Sequence, residues 1–304
     1  MSRALLVSGA AVVVCAACLF AAASPRFRVD VNMVTLSLTV TDGSGHYVNG
    51  LKRSDFRISE DGIPQKISAF VEGKSTAGSI SETILAGSSV FVLFDTSNCM
   101  YAGFVYAEDA ISDFIRSLDA SDSVAVYAFS RNLFRAAPLT RNHAEAIRQL
   151  RNVVAGDDTA LLNALLLTLR DAAKVPGRKV IVVFSNGPDN ASMLAPDDVR
   201  RLAEDEGVPI YVVSTKDDNP IMNAVFNRLA GGSGGKSYFA RNWRSQAEAF
   251  SLIREELASS YTIAYYPKDN PNKGFRKIDV EIVSESGKTY RVRTRQGYRP
   301  RPLS

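Results

Sequence analysis

The chain has 304 residues, 46% of them hydrophobic and 22% charged, and a formal net charge of +4. That balance excludes global disorder and leaves enough apolar material for one large domain plus a smaller one. Lysine and arginine are scattered among acids, with no basic stripe interleaved with aromatics, which argues against nucleic acid as a partner.

The first residues stand apart. Arg3 precedes a run from Ala4 to Ala23 that is apolar except for Ser8 and Gly9, followed by Ser24-Pro25. A basic start, an apolar stretch and the small-residue exit Ala21-Ala22-Ala23 read as a secretory signal peptide over residues 1–23. The mature chain is then expected to be secreted or held in the periplasm or cell envelope. The run is close to the roughly 20 residues that span a bilayer, so an uncleaved anchor is the alternative. The membrane would be engaged through this segment alone. A lipoprotein reading through Cys18 fits less well, because Cys15 stands three residues before it and apolar residues continue past it. Removal of the signal takes Cys15 and Cys18 and leaves Cys99, which excludes an intramolecular disulfide. Following an apolar strand pattern, Cys99 is expected to be buried.

Residues 24–73 read as β-strands. Val34, Leu36, Leu38 and Val40 alternate with polar residues, the period of a half-buried strand. Asp42-Gly43-Ser44-Gly45 and Asp61-Gly62 are turn signals, the second lying between Phe56-Arg57-Ile58 and Ile67–Phe70. Such strands are too few to bury a core alone. Residues 74–87 complete a stretch rich in Ser, Gly and Thr, read as a linker. From residue 88 to 257 short apolar runs (Val90–Phe94, Val124–Phe129, Val180–Phe184, Ile210–Val213) alternate with helical patterns. The helical patterns are Ala107–Leu118, His143–Leu150, Ala160–Ala173, Asp197–Glu206 and Trp243–Leu257. Pro196 with Asp197 and Asp198 suits a first helical turn, and Gly207 a stop. This alternation predicts an α/β fold with a mostly parallel sheet covered on both faces. Residues 258–304 return to β, with Tyr261–Tyr266, Ile278–Val283 and Tyr290–Thr294 as strands and Ser286-Gly287 as a turn. Neither terminal set can cover its own apolar face. The two are therefore expected to form one small antiparallel β-sandwich into which the α/β domain is inserted.

The chemistry concentrates where apolar strands end. Val90–Phe94 delivers Asp95-Thr96-Ser97-Asn98-Cys99 to the carboxyl edge of the sheet, where open α/β folds bind their ligands. Taken alone, Asp95 also suits a cap for the segment that follows. Together with Gly156-Asp157-Asp158-Thr159-Ala160-Leu161 and Ser185-Asn186-Gly187-Pro188-Asp189-Asn190, this stretch resembles the three loops of a von Willebrand factor type A domain, a Rossmann-like fold. Leu229–Phe239 is similar to that family's late helix-to-strand turn. The flanks (Val40–Leu51, Asp55–Gly62 and Arg295-Gln296-Gly297-Tyr298) resemble secreted bacterial VWFA-related proteins of the acidobacterial kind.

The resemblance implies a metal-ion-dependent adhesion site built from Asp-x-Ser-x-Ser, a Thr and an Asp. Such a site holds Mg²⁺ through oxygens and leaves a position open for a partner's carboxylate. Asp95, Ser97 and Thr159 match that pattern, Cys99 occupies the second Ser position, and Asn186 stands in place of the Asp. A thiol is a poor Mg²⁺ ligand, and an amide oxygen removes one formal charge, so the implied metal binding is weak or lost. Asp157, Asp158 and Asp189 lie in the same loops and can restore negative potential. The partner-binding surface implied by the resemblance is Asp95, Ser97, Asn98, Cys99, Asp158, Thr159, Asn186 and Asp189.

Other signals are weaker. Ala230–Ser237 fits a relaxed phosphate loop, but such a loop must follow a strand and open a helix. Here it follows a helical stretch, so nucleotide is not expected and a flexible turn is. His46 and His143, the only histidines, fall in different segments and cannot build a triad or zinc cluster. Both are expected at the surface. Asp217-Asp218-Asn219-Pro220 reads as a solvated helix-start loop, and Tyr265, Tyr266 and Tyr298 as sandwich core. The function expected is a non-enzymatic adhesion or interaction module. The alternatives are an envelope assembly component, or a hydrolase using Cys99, which lacks a nearby base.

Overall fold

A computed structural model describes residues 33–73, 87–216, 219–283 and 289–301. The signal segment, residues 74–86 of the linker, Asp217-Asp218 and the Ser286-Gly287 turn lie outside the described residues. In chain order the elements are β1 (Val34–Thr41), β2 (Phe56–Glu60), β3 (Ile63–Gln65), β4 (Ile67–Glu72), β5 (Ser88–Asp95), α1 (Phe104–Ser117), β6 (Ser123–Phe129) and β7 (Leu133–Thr140). There follow α2 (His143–Leu150), α3 (Leu161–Ala173), β8 (Arg178–Ser185), α4 (Pro196–Glu206), β9 (Ile210–Ser214) and α5 (Pro220–Ser233). The chain ends with β10 (Ser237–Phe239), α6 (Trp243–Ser259), β11 (Tyr261–Tyr265), β12 (Arg276–Ile282), β13 (Arg291–Arg293) and β14 (Gly297–Tyr298).

The central sheet has the order β10-β9-β8-β5-β6-β7, parallel throughout except for β7. Between their ends the inner strands β5, β6, β8 and β9 are apolar because both faces are covered. Val90, Val92 and Phe94 of β5, with Val180, Val182 and Phe184 of β8, pack against α1, α2 and α6. Their neighbours Phe91, Leu93, Ile181 and Val183 pack against α3, α4 and α5 on the other face. The two-residue period of a strand thus feeds two cores at once. Caps fix where helices begin: the Oδ1 atoms of Asn142, Asn219 and Asn242 accept from the backbone N–H groups of Glu145, Met222 and Ser245. Pro196 opens α4, and Gly207 ends it in the left-handed region (φ 62°).

The terminal segments form two four-stranded sheets, β13-β1-β11-β4 and β14-β12-β2-β3, each mixing strands from both ends of the chain. Between them lies one core of Val34, Leu36, Leu38, Phe56, Ile58, Ile263, Ile278 and their neighbours, as the shortage of strands in either half predicts. Glu60, fully buried, accepts hydrogen bonds from the hydroxyls of Tyr265 (3.1 Å) and Tyr298 (3.0 Å) and from Arg276 (2.9 Å). The tyrosine expectation needs one correction: Tyr265 and Tyr298 are buried, but Tyr266 is half exposed, because it lies just past β11 where the pairing ends. Three strands escape the sequence pattern, among them the two-residue β14. β7 is an edge strand with exposed positions and Pro138, and β3 is three residues long with Pro64 at its centre.

Candidate functional site

Parallel strands place their carboxyl ends at one edge, and neighbouring β5 and β8 end side by side. Phe94 is in register with Phe184, which sets Asp95 beside Ser185. Asp95 is fully buried there. Its Oδ2 accepts from Ser185 Oγ at 2.6 Å, and its Oδ1 from the Ser97 backbone N–H at 2.9 Å. Burial pushes its carboxyl above the ordinary value of 3.8, and the bonds from Ser185 and Ser97 oppose that shift. The expected capping role is corrected: Asp95 stabilises its own turn at Ser97. A 3₁₀ turn over Asn98–Gly103 then intervenes before α1.

Backbone hydrogen bonds tie three loops together. The Gly156 N–H donates to the Thr96 carbonyl (2.7 Å) and the Asn98 N–H to the Asp157 carbonyl (2.9 Å). The Asn190 and Ala191 N–H groups donate to the Thr159 carbonyl, both at 3.0 Å, while Asn190 Oδ1 accepts from the Thr159 N–H at 2.8 Å. Asn186 Nδ2 closes the ring by donating to the Cys99 carbonyl. Asp95, Ser97, Thr159 and Asn186, far apart in sequence, therefore share one rim.

Two further acids of these loops, Asp189 and Asp158, are used locally. Asp189 Oδ2 accepts from the Leu162 N–H at the start of α3, and its Oδ1 from the Ala191 and Ser192 N–H groups. Asp158 is 3.5 Å from Arg131, and Asn98 is exposed. Cys99 is only partly buried, against expectation, because the 3₁₀ turn carries it out of the strand's plane. Sequence reasoning missed Ser185 and Asn190 as holders of Asp95 and Thr159. Their place at the end of β8 and in the loop after it was the available signal.

Three oxygens at this rim are buried without a hydrogen-bond partner: Ser97 Oγ, Thr159 Oγ1 and Asn186 Oδ1. Each such oxygen calls for an explanation, a water or an ion among them; Ser112 Oγ, Glu204 Oε2, Tyr238 Oη and Gln246 Oε1 share the property away from the rim. With Asp95 the three rim oxygens form an all-oxygen donor set, which fits a hard cation in kind. The set carries one formal charge, and among the described residues no group of three His, Cys, Asp or Glu is placed to hold a metal.

Residues 90–188 match the sequence profile of the von Willebrand factor type A domain. This chain carries a von Willebrand factor type A domain. The match runs from Val90 in β5 through β8 to Pro188, taking in the first two rim loops and the start of the third, and the fold is one typical of adhesion and protein-interaction modules, generally without catalysis. No curated protein matches the chain. Among solved structures the chain is similar to the conserved hypothetical protein BatB from Bacteroides thetaiotaomicron, at 18% identity and TM-score 0.46, covering 56% of this chain and 98% of that one. It is similar to the vWF domain of the type V pili tip protein Mfa5 from Porphyromonas gingivalis, at 12% identity and TM-score 0.48, covering 56% and 94%. A von Willebrand factor type A protein from Catenulispora acidiphila is 14% identical, with TM-score 0.47, over 79% of this chain and 72% of that one.

Within this type A domain Asp95 is held at a cost to stability. Because its pKa is raised in the fold, the penalty is absent below 3.8 and grows as pH rises through the elevated value. Asp95→Asn is therefore expected to raise the thermal midpoint at neutral pH and to lose that advantage in acid. Calorimetric scans at the two pH values test this, and a midpoint lowered at both would show Asp95 to be a stabilising residue.

Proposed function

We propose that the chain is an exported, non-enzymatic protein-interaction module whose recognition face is the carboxyl rim of its type A domain. The observation that carries this reading is the set of three partnerless buried oxygens beside Asp95. Asp95, Ser97, Thr159 and Asn186 would hold Mg²⁺, which when bound offers an open position to an acidic side chain of a partner protein. Asn98, Cys99, Asp158 and Asp189 border that position. With a single carboxylate the affinity is set low, on the order of millimolar, as for oxygen sites poor in charge. Export is supported by the signal-like residues 1–23. Among the described residues no helix is long and apolar enough to cross a membrane.

A hydrolase built on Cys99 has no support. His46 sits in the exposed turn after β1, 3.7 Å from Asp42. His143 opens α2 with Nε2 3.0 Å from the Asp122 carbonyl, at the opposite edge of the sheet and only partly exposed. Neither serves the thiol as a base.

The test is calorimetric titration of the purified chain with Mg²⁺ and Mn²⁺ beside Asp95→Ala. Weak binding that disappears in the variant is expected. Binding that is unchanged in Asp95→Ala would place the cation elsewhere and remove the basis of the reading.

A further inference from the structure

Helices α4 and α5 pack side by side on one face of the central sheet and leave a cleft of about 430 Å³ between them. It shares no residue with the rim. Asp197, Arg200 and Glu204 of α4 line it, with Asn227, Arg228 and Gly232 of α5 and Gln296 just before β14. The helical period sets these groups face to face: Asp197, Arg200 and Glu204 stand at i, i+3 and i+7, Arg228 and Gly232 at i and i+4. The absent side chain of Gly232 leaves the room, since a Cβ there would lie 2.8 Å from Arg200 Cδ and 3.0 Å from Glu204 Oε1. Glu204 is the innermost group, 1% exposed. Its Oε1 lies 2.5 Å from Arg200 Nη1, while its Oε2 is buried without a hydrogen-bond partner. Burial pushes its carboxyl above the ordinary value of 4.5, and Arg200 opposes that shift. A bare carboxylate oxygen at that depth is costly and needs a donor, from water or from a ligand. Single waters fill voids of roughly 30 Å³; this cleft falls in the range of small-ligand sites, about 300–1,000 Å³.

We infer that the cleft binds a neutral, polyhydroxylated ligand, one pyranose unit of a carbohydrate. The charges decide the class. They alternate along the cleft, Arg228 lying 3.8 Å from Asp197, Asp197 3.2 Å from Arg200 and Arg200 2.5 Å from Glu204, so that the row is neutral in sum. A formal charge on the ligand would meet its like wherever it met its opposite: an ammonium at Glu204 faces Arg200, and a carboxylate at Arg228 faces Asp197. A sugar hydroxyl avoids both penalties, because it donates one hydrogen bond and accepts two. It gives its proton to a carboxylate and accepts from the neighbouring guanidinium. Amides complete the set. Asn227 Oδ1 already accepts from the Ser237 hydroxyl, which leaves Nδ2 as the donor, and Gln296 is exposed. No aromatic ring lines the cleft among the described residues, so recognition is by hydrogen bonds and the affinity is weak.

The experiment is saturation-transfer NMR of the full chain with a panel of neutral hexoses and their methyl glycosides, followed by titration of the best binder. At least one sugar is expected to bind, and to bind Glu204→Gln at least tenfold more weakly. That variant keeps an acceptor for Arg200 but puts an amide N–H where the bare oxygen stood. Arg228→Ala should weaken the same sugar, and its side chain is 64% exposed, so folding does not obscure the result. Asp95→Asn should bind the sugar as the parent does, which separates the cleft from the rim. Absence of saturation transfer to every sugar, or affinities unchanged in both cleft variants, would overturn the inference. So would tighter binding of glycine or inorganic phosphate, the charged probes, than of any sugar.

Discussion

Replacing Glu256 by alanine is expected to lower folding stability by about 3 kcal/mol, the low end of the range for breaking a buried ion pair. Glu256 is 1% exposed on α6 and gathers groups from both parts of the molecule. Tyr211 of β9 donates to Oε1 at 2.5 Å, Tyr47 from the turn after β1 donates to Oε2 at 3.1 Å, and Arg293 of β13 lies 2.5 Å from Oε1. Burial and the neighbouring carboxylate push both phenols upward, so they remain protonated donors at any ordinary pH. Alanine leaves the Tyr211 hydroxyl without its acceptor and the Arg293 guanidinium without its counter-ion, while Arg293 keeps its bonds to the Gly235 carbonyl and Thr39 Oγ1. Arg293 is about one-third exposed and recovers some hydration, which is why the low end applies.

The same contacts clamp the sandwich to the type A domain, so cooperativity should change as well as stability. All the described α-helices pack on the central sheet, whereas β1, β2, β11 and β12 build the sandwich core. Far-UV dichroism follows those helices, and amide hydrogen exchange of the sandwich strands across the same urea series follows the other part. In the parent chain the two urea transitions should coincide, and in Glu256→Ala they should separate. Coincident transitions with an unchanged midpoint would show that the clamp lies elsewhere, for instance at Arg295, which donates to the Glu204, Asp205 and Thr35 carbonyls.

The second large effect concerns the rim. Asn186→Asp combined with Cys99→Ser is expected to strengthen Mg²⁺ binding at least tenfold, since ligand charge sets the affinity of oxygen sites and Asp adds a second carboxylate. The cost appears without metal. Asn186 Nδ2 donates to the Cys99 carbonyl, a bond no carboxylate can make, and its loss at a buried position removes about 1–3 kcal/mol. The double variant should thus melt below the parent in EDTA and regain stability as Mg²⁺ is added, by the linkage of binding to folding. Titration calorimetry and melting with and without Mg²⁺ measure both halves. An unaltered Mg²⁺ affinity would mean that position 186 does not face the cation.

Much of the fold was legible because it depends on short-range pattern. Continuous apolar runs such as Val180–Phe184 mark strands buried on both faces, and Pro196 and Gly207 bracket a helix through their backbone restrictions alone. Where local pattern failed, the cause was local too. β7 is an edge strand with few buried positions, and a three-residue strand such as β3 is too short to show a period. The Gly-rich stretch read as a flexible turn is instead the end of α5 and its left-handed cap at Gly234. Gly235 beyond it passes so close to the Ile210 carbonyl that no Cβ would fit.

By itself the sequence determined the alternation of strands and helices, the need for the terminal β segments to share a core, and the placing of Asp95, Ser97, Thr159 and Asn186 at strand ends and in loops. Only the tertiary structure decided what those groups do. The partners of Glu256 and Glu60 come from as far as 209 and 238 residues away, beyond the reach of any periodicity. The Asn186 amide could be known as a loop clasp, and three oxygens as partnerless, only once β5 and β8 lay side by side. The polar cleft has the same origin: its residues belong to α4, α5 and the segment before β14, and only the packing of those elements brings them together.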